Sequence, residues 1–380
     1  MPTTLSAPPR PRTDAARDLA PGLALAAVAT LVLLGASRLL APLTGGAVSP
    51  LVLALLAGAV VGSVLGRVAP RSDRAARVVG RVRPGTDWTA RTVLRAGVVL
   101  LGLQLSIPDV LALGWRGIGV VVVTVTCTFA AILGLGRLLR VPRATALLVA
   151  TGFSICGAAA VSAMTSVLER DPRGGSRLRD DVAAALALVT VYGTIAIFAL
   201  PPLAGALGLT DHQTGLWIGA SVQEVAQVVA AAGTVSAAAL ATATVTKLAR
   251  VVLLAPLVAG TGALLARRSA LAAPTMSTDT TPTETDAAAP RGRRAPLVPG
   301  FVLGFLAAVL VRSTGLLPDA VLDVAHQLTT ILFVAAMFAL GTGVDVPRLA
   351  RTARRPLLLG AAGAVVVSGV GLSAVLLLAP

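Results

Sequence analysis

Residues 116–136 read RGIGVVVVTVTCTFAAILGLG, and after Arg116 no charged side chain interrupts them. A run of about 20 apolar residues is what a helix needs to cross ~30 Å of hydrocarbon. Similar blocks recur near 22–43, 49–66, 92–106, 143–168, 181–204, 214–234, 236–266, 297–312, 320–341 and 356–379. They are rich in Leu, Ala, Val and Gly and lack the alternation of a membrane β-barrel. Only helices satisfy their own backbone groups in lipid, so the fold class is all-α, a polytopic membrane helix bundle of about 9–11 spans.

Composition agrees. Of the 380 residues 56% are hydrophobic and only 13% charged, and the mean hydropathy is +0.86. A soluble domain carries roughly 25% charged residues. The net charge of +15 does not point to nucleic acid, because the arginines cluster at the ends of apolar blocks, as topogenic charge does. Cys127 and Cys156 both lie inside apolar blocks, so no disulfide framework is implied. No Cys/His cluster has metal spacing, no phosphate-cradling loop is present, and no Ser-His-Asp set appears. No cofactor, no metal and no enzymatic activity are therefore expected, and transport driven by ATP on this chain is disfavoured.

The punctuation divides the chain. Residues 1–20, with Arg10, Arg12, Arg17 and several prolines, read as a disordered cytoplasmic tail. Residues 21–266 form the first part of a membrane domain and 297–380 the second. Between them, 267–296 carries TMSTDTTPTETDAAAP and five Arg, a flexible cytoplasmic linker. Other basic connections are 67–95, with eight Arg against two Asp, 137–143 with three Arg, and 345–355 with four Arg against Asp345. The connections 44–48, 205–210 and 313–319 are nearly uncharged. Placing the basic connections inside puts the N-terminus in the cytoplasm of a multi-pass inner-membrane protein.

One connection resists simple counting. Residues 169–181 hold four Arg and four acidic residues, yet eleven plain spans would place them outside. If 143–168 and 214–234 are re-entrant or broken, 169–181 returns inside and nine full spans remain. There is also an internal echo: Leu101-Gly102-Leu103-Gln104-Leu105-Ser106-Ile107-Pro108 aligns with Leu340-Gly341-Thr342-Gly343-Val344-Asp345-Val346-Pro347. The topology sends the two copies in opposite directions, the pattern of an inverted repeat.

The chemistry concentrates in the two unusual blocks. The stretch Gly219-Ala220-Ser221-Val222-Gln223-Glu224-Val225-Ala226-Gln227 places a carboxylate and two amides among apolar residues, which is expensive in lipid unless they face a cavity or a partner. Gln223 and Gln227, four apart, share a helical face beside Glu224. Ser221-x-x-Glu224 reads as a capping box, and a helix N-terminus at membrane depth binds anions. The stretch Gly152-Phe153-Ser154-Ile155-Cys156-Gly157 matches it at Gly152/Gly219, Ser154/Ser221 and Ile155/Val222, and its glycines let the backbone unwind. Two such interruptions predict paired discontinuous helices around a midplane site. Cys156 reads as a small hydrophobe rather than a nucleophile. Lys247 and Arg250, three apart in an apolar stretch, either snorkel to an interface or serve the site by pairing with Glu224 or attracting an anion.

The phrases GFSICGAAAVSA at 152–163, SVQEVAQVVAAAG at 221–233, TKLARVVLLAPL at 246–257 and LRAGVVLLGLQLS at 94–106 resemble the YeiH family of bacterial membrane proteins, described as sulfate exporters. The resemblance runs from about residue 22 to the end. The chain departs from the family phrase at Gln223, where the family carries His, which removes an imidazole proton carrier from that position. The resemblance implies an inner-membrane transporter similar in architecture to the bile-acid/sodium symporters and sodium/proton antiporters.

The expected function is a secondary transporter exporting a small inorganic or organosulfur oxyanion, with H⁺ or Na⁺ as coupling ion. Its partners would be that solute, the lipid bilayer and a second copy of the chain as a homo-oligomer, with no nucleic acid. Gly152, Ser154, Cys156, Gly157, Ser221, Gln223, Glu224, Gln227, Lys247 and Arg250 would form the binding site. A cation/proton antiporter of the same fold is the alternative, and a membrane sensor or enzyme the alternative from another class.

Overall fold

A computed structural model describes residues 12–44, 50–68, 72–169, 178–271, 300–343 and 354–379. Among these residues the structure is helical. The helices are α1 (Arg12–Thr44), α2 (Pro50–Val68), α3 (Asp73–Trp88), α4 (Leu94–Leu101), α5 (Ile107–Ala112), α6 (Gly114–Leu138), α7 (Arg143–Ser154) and α8 (Ala158–Leu168). They continue as α9 (Leu178–Ala206), α10 (Asp211–Ser221), α11 (Val225–Gly233), α12 (Ala237–Val252), α13 (Leu254–Leu271), α14 (Gly300–Ser313), α15 (Asp319–Thr342) and α16 (Arg354–Leu378). Every apolar block holds a helix.

Among the described residues, six helical spans are long and apolar enough to cross a membrane: α1, α6, α9, the α12–α13 pair, α15 and α16. Their outer faces present large apolar side chains such as Leu31, Val365 and Leu377, as lipid contact requires. Three shorter elements complete the crossing set: α2, α14 and a rod made of α3, a π-helical turn at Thr89–Val93 and α4. At 1.5 Å per residue the rod is about 43 Å long. It corrects the reading of 67–95 as a basic connection between spans, since 73–95 are helical. Glycine contacts hold it: a methyl group at Gly22 of α1 would lie 2.6 Å from Gly85 Cα, so the two backbones meet directly there.

The chain directions settle the two odd blocks. Along α7 and α9, Thr145 bonds Asp181 and Gly152 lies against Val189, so these helices run side by side in one direction. Between them α8 turns back, bringing Val161 against Gly152. Likewise Gly215 of α10 packs on Ala239 and Thr242, and Gly219 on Ala243 and Thr246, so α10 and α12 are parallel. Because only three residues separate the end of α11 from the start of α12, α11 must have returned to the level where α10 begins. Both blocks are therefore re-entrant helical hairpins. The 29-residue α9 carries the chain from the feet of the first to the feet of the second, on opposite faces.

With nine crossings and two hairpins among the described residues, the helix ends that flank 67–74, 137–143, 169–181, 267–296 and 345–355 lie at one face. The parallel course of α4 and α14 fixes the same parity independently: Gly304 meets Val99, Gly102 meets Ala308, and Ile107 donates to Ser313 Oγ at 2.9 Å. The anomaly at 169–181 disappears.

Two boundaries move. Helix α1 starts at Arg12, inside the expected disordered tail, since Ala15, Ala16, Arg17, Leu19 and Ala20 are strong helix formers; residues 1–11 lie outside the described residues. Helix α13 runs to Leu271, so 267–271 are helical rather than linker; 272–299 lie outside the described residues. So does the end of the second echo copy, 344–347. The two parts of the membrane domain form one bundle, because α15 crosses α2 at Gly341 and Gly58, where a methyl on either glycine would reach about 3 Å from the other's Cα.

Candidate functional site

The tips of the two hairpins meet. Helix α7 ends at Ser154, Ile155 and Cys156 form the turn, and Gly157 takes φ +72° to start α8. A Cβ there would be strained, and it would also lie 2.7 Å from Glu224 Cγ and 2.9 Å from Val189 Cγ1. Helix α10 ends at Ser221, Val222 to Glu224 form the second turn, and α11 starts at Val225.

Each tip brings a helix C-terminus and a helix N-terminus into the low-dielectric interior. The last carbonyls of α7 and α10 have no helical partners. Lys247 and Arg250 supply them, both fully buried on α12. Arg250 Nη2 donates to Phe153 O at 2.7 Å, Nε to Ser154 O at 3.1 Å, and Nη1 to Gly219 O at 3.1 Å and Val222 O at 3.2 Å. Lys247 Nζ donates to Ile155 O and, at 2.8 Å, to Val222 O. Cations at helix C-termini also oppose the negative end of each macrodipole.

The N-termini meet one carboxylate. Glu224 Oε1 accepts the Ala158 amide of α8 at 3.4 Å, while Glu224 itself caps the start of α11. Its own amide donates to Gln227 Oε1 at 3.2 Å, and Gln227 Nε2 donates to Thr190 O at 3.3 Å on α9. Ser154 Oγ and Gln223 Oε1 are buried without a hydrogen-bond partner.

The expected site residues therefore converge, but several of their expected roles change. Ser221 does not cap α11; it closes α10, with its hydroxyl 3.5 Å from Val367 O. Ser154 likewise ends α7 instead of starting a helix. The phrase S-x-x-E reads the same whichever helix it borders, and here the chain reverses inside it. Gln223 and Gln227 do not share a helical face, because Gln223 sits in the turn. Lys247 and Arg250 neither snorkel nor pair with Glu224 at ion-pair distance; backbone carbonyls take their donors. Gly152, Cys156 and Gly157 sit at the first tip as expected. Thr190 and Thr194 of α9 were not singled out, although their i, i+4 spacing in one apolar block was a visible signal.

A family model described as "Conserved hypothetical protein 698" matches residues 21–360. A membrane protein of Corynebacterium glutamicum is 36% identical over 366 residues, 96% of this chain and 94% of that protein. The inner membrane protein YeiH of Salmonella typhimurium is 32% identical over 345 residues, 90% of this chain and 89% of that one. The chain belongs to the YeiH family of membrane proteins. A further relative, a membrane protein of Pseudomonas putida, is 34% identical over 317 residues, 83% of this chain and 81% of that protein. No solved structure matches the chain significantly. The Salmonella relative carries "inner membrane" in its name, and with its apolar crossing helices the chain is a polytopic inner-membrane protein.

Proposed function

We propose that this protein is a secondary transporter for a small oxyanion, with the paired hairpin tips as its substrate centre and Glu224 as the coupling group. The observation that carries the reading is the charge balance at the tips. Two buried cations, Lys247 and Arg250, face one buried carboxylate, Glu224, leaving a formal surplus of one positive charge where helix C-termini and N-termini offset one another. A surplus positive potential in a low dielectric favours an anionic guest. Lys247 and Arg250 act here chiefly through their field, since backbone carbonyls take two of the three Lys247 donors and four of the five Arg250 donors, and the contacts would come from the N-terminal amides around Ala158 and from Ser154 and Gln223.

By the positive-inside rule the arginine-bearing face is cytoplasmic, so the first hairpin enters from the cytoplasm and the second from outside. Sulfate, sulfite and simple sulfonates are the candidate solutes, with H⁺ or Na⁺ as coupling ion. Proteoliposomes carrying the purified protein test this. Wild type should move at least one of these anions, and Glu224→Gln should abolish most of that flux. Flux that Glu224→Gln leaves intact would sink the assignment. Dissipation of a pH gradient by Na⁺ without any anion would replace it with cation/proton antiport.

A further inference from the structure

Away from the tips, a second cationic position lies on the arginine-bearing side of the bundle. Arg95 on α4 donates from Nη2 to Ser166 Oγ of α8 at 2.7 Å, and its guanidinium stands 5.6 Å over the Phe301 ring of α14. Its Nε is buried and has no partner. One turn before it, Arg91 lies 3.6 Å from Glu169, at the foot of the returning arm of the first hairpin. Thus two guanidinium groups, four residues apart on the α3–α4 rod, reach the same arm at Ser166 and Glu169.

Leaving a buried donor unmet is unfavourable, and a single serine hydroxyl cannot meet a guanidinium fork. A tetrahedral oxyanion can, because two of its oxygens match Nε and Nη2 at once. The Arg91–Glu169 pair is about half exposed and correspondingly weak, so an arriving anion can displace the Glu169 carboxylate from Arg91. The aromatic face of Phe301 holds the guanidinium plane in place meanwhile.

We propose that Arg95, assisted by Arg91, is a second oxyanion site on the path between the hairpin tips and the arginine-bearing face. Ser166 and Glu169 occupy it when no anion is there. The site rests on the oxyanion-transport reading.

Its test uses the full chain in proteoliposomes with sulfate, sulfite and methanesulfonate as probes. Arg95→Ala should raise the half-saturating concentration of the transported anion about tenfold or more, the size of a lost charge-assisted hydrogen bond. Arg95→Lys should recover only part of this, since an ammonium lacks the fork. Ser166→Ala, by removing the competing hydroxyl, should lower the half-saturating concentration, which a merely structural role for this contact would not do. Unchanged half-saturation in Arg95→Ala, or a rise in Ser166→Ala, would overturn the second site while leaving the transport reading in place. A wild-type protein that moves none of the three anions would instead remove both.

Discussion

The Glu224 carboxylate, on the tip of the second hairpin, accepts the Ala158 amide at the start of the returning arm of the first hairpin, 3.4 Å away. One side chain thus closes the N-terminus of a helix that belongs to the opposite half of the membrane. Replacing it by Gln keeps an oxygen acceptor and removes the charge. Glu224→Gln should therefore melt close to wild type in detergent while losing transport. Glu224→Ala should lose both, because it also leaves the α8 amide bare. Equal melting of the two variants would contradict this role.

Arg250 donates to both hairpin tips at once. Removing it strands carbonyls of Phe153, Ser154 and Gly219 in a buried centre and leaves Val222 O to Lys247 alone. Arg250→Ala should destabilise the protein by about 3 kcal/mol or more, seen as a large drop in the midpoint of thermal unfolding. Arg250→Lys should rescue little, since an ammonium donates from a single point and cannot reach all the carbonyls that the guanidinium fork serves. Near-wild-type melting of the lysine variant would count against the bridging role.

Glycine positions give a graded test. Gly157→Ala forces a side chain into φ +72° and against Glu224 and Val189, a loss of roughly 1–3 kcal/mol from backbone strain before the clash is counted. Gly134, within α6, has open space around it. There Ala should be neutral or raise stability by up to about 1 kcal/mol. Comparable melting of the two alanine variants would refute the geometry of the first tip.

Topology can be read by labelling single cysteines with a membrane-impermeant maleimide, in a background with Cys127→Ser and Cys156→Ala. Thr210→Cys and Ser236→Cys, at the two feet of the second hairpin, should label from the same side. Arg140→Cys and Glu169→Cys should label from the other. If Thr210 and Ser236 label from opposite sides, α10 and α11 cross the membrane and the re-entrant assignment fails.

The crossing helices were legible because lipid imposes a length and a composition on them, and block 116–136 became α6 almost residue for residue. The interruptions at Gly157 and Gln223 were legible because polar or conformationally permissive residues in an apolar run need a reason. What the sequence did not disclose was direction. Whether α11 continues or doubles back depends on Gly215 and Gly219 meeting α12, contacts that no local pattern announces. The misassigned caps follow from that: Ser221 borders two helices, and only the reversal shows which one it closes. The partners of Lys247 and Arg250 were hidden for the same reason, since backbone carbonyls leave no mark in the sequence. Arg95 lay inside a quoted phrase, yet its meaning waited on Ser166, 71 positions away.

Arg250 has one last implication. Its guanidinium holds Phe153 and Ser154 of one hairpin and Gly219 and Val222 of the other in a single grip. Drawing the tips apart would break several charge-assisted hydrogen bonds of about 1.5–3 kcal/mol each in a dry interior, far beyond thermal agitation. The hairpins are thus mechanically yoked, and α12 is the axle they share. On the transport reading proposed above, admitting solute from alternate sides would move this yoked unit whole against the α3–α4 rod and α14, along a plane that runs past Arg95.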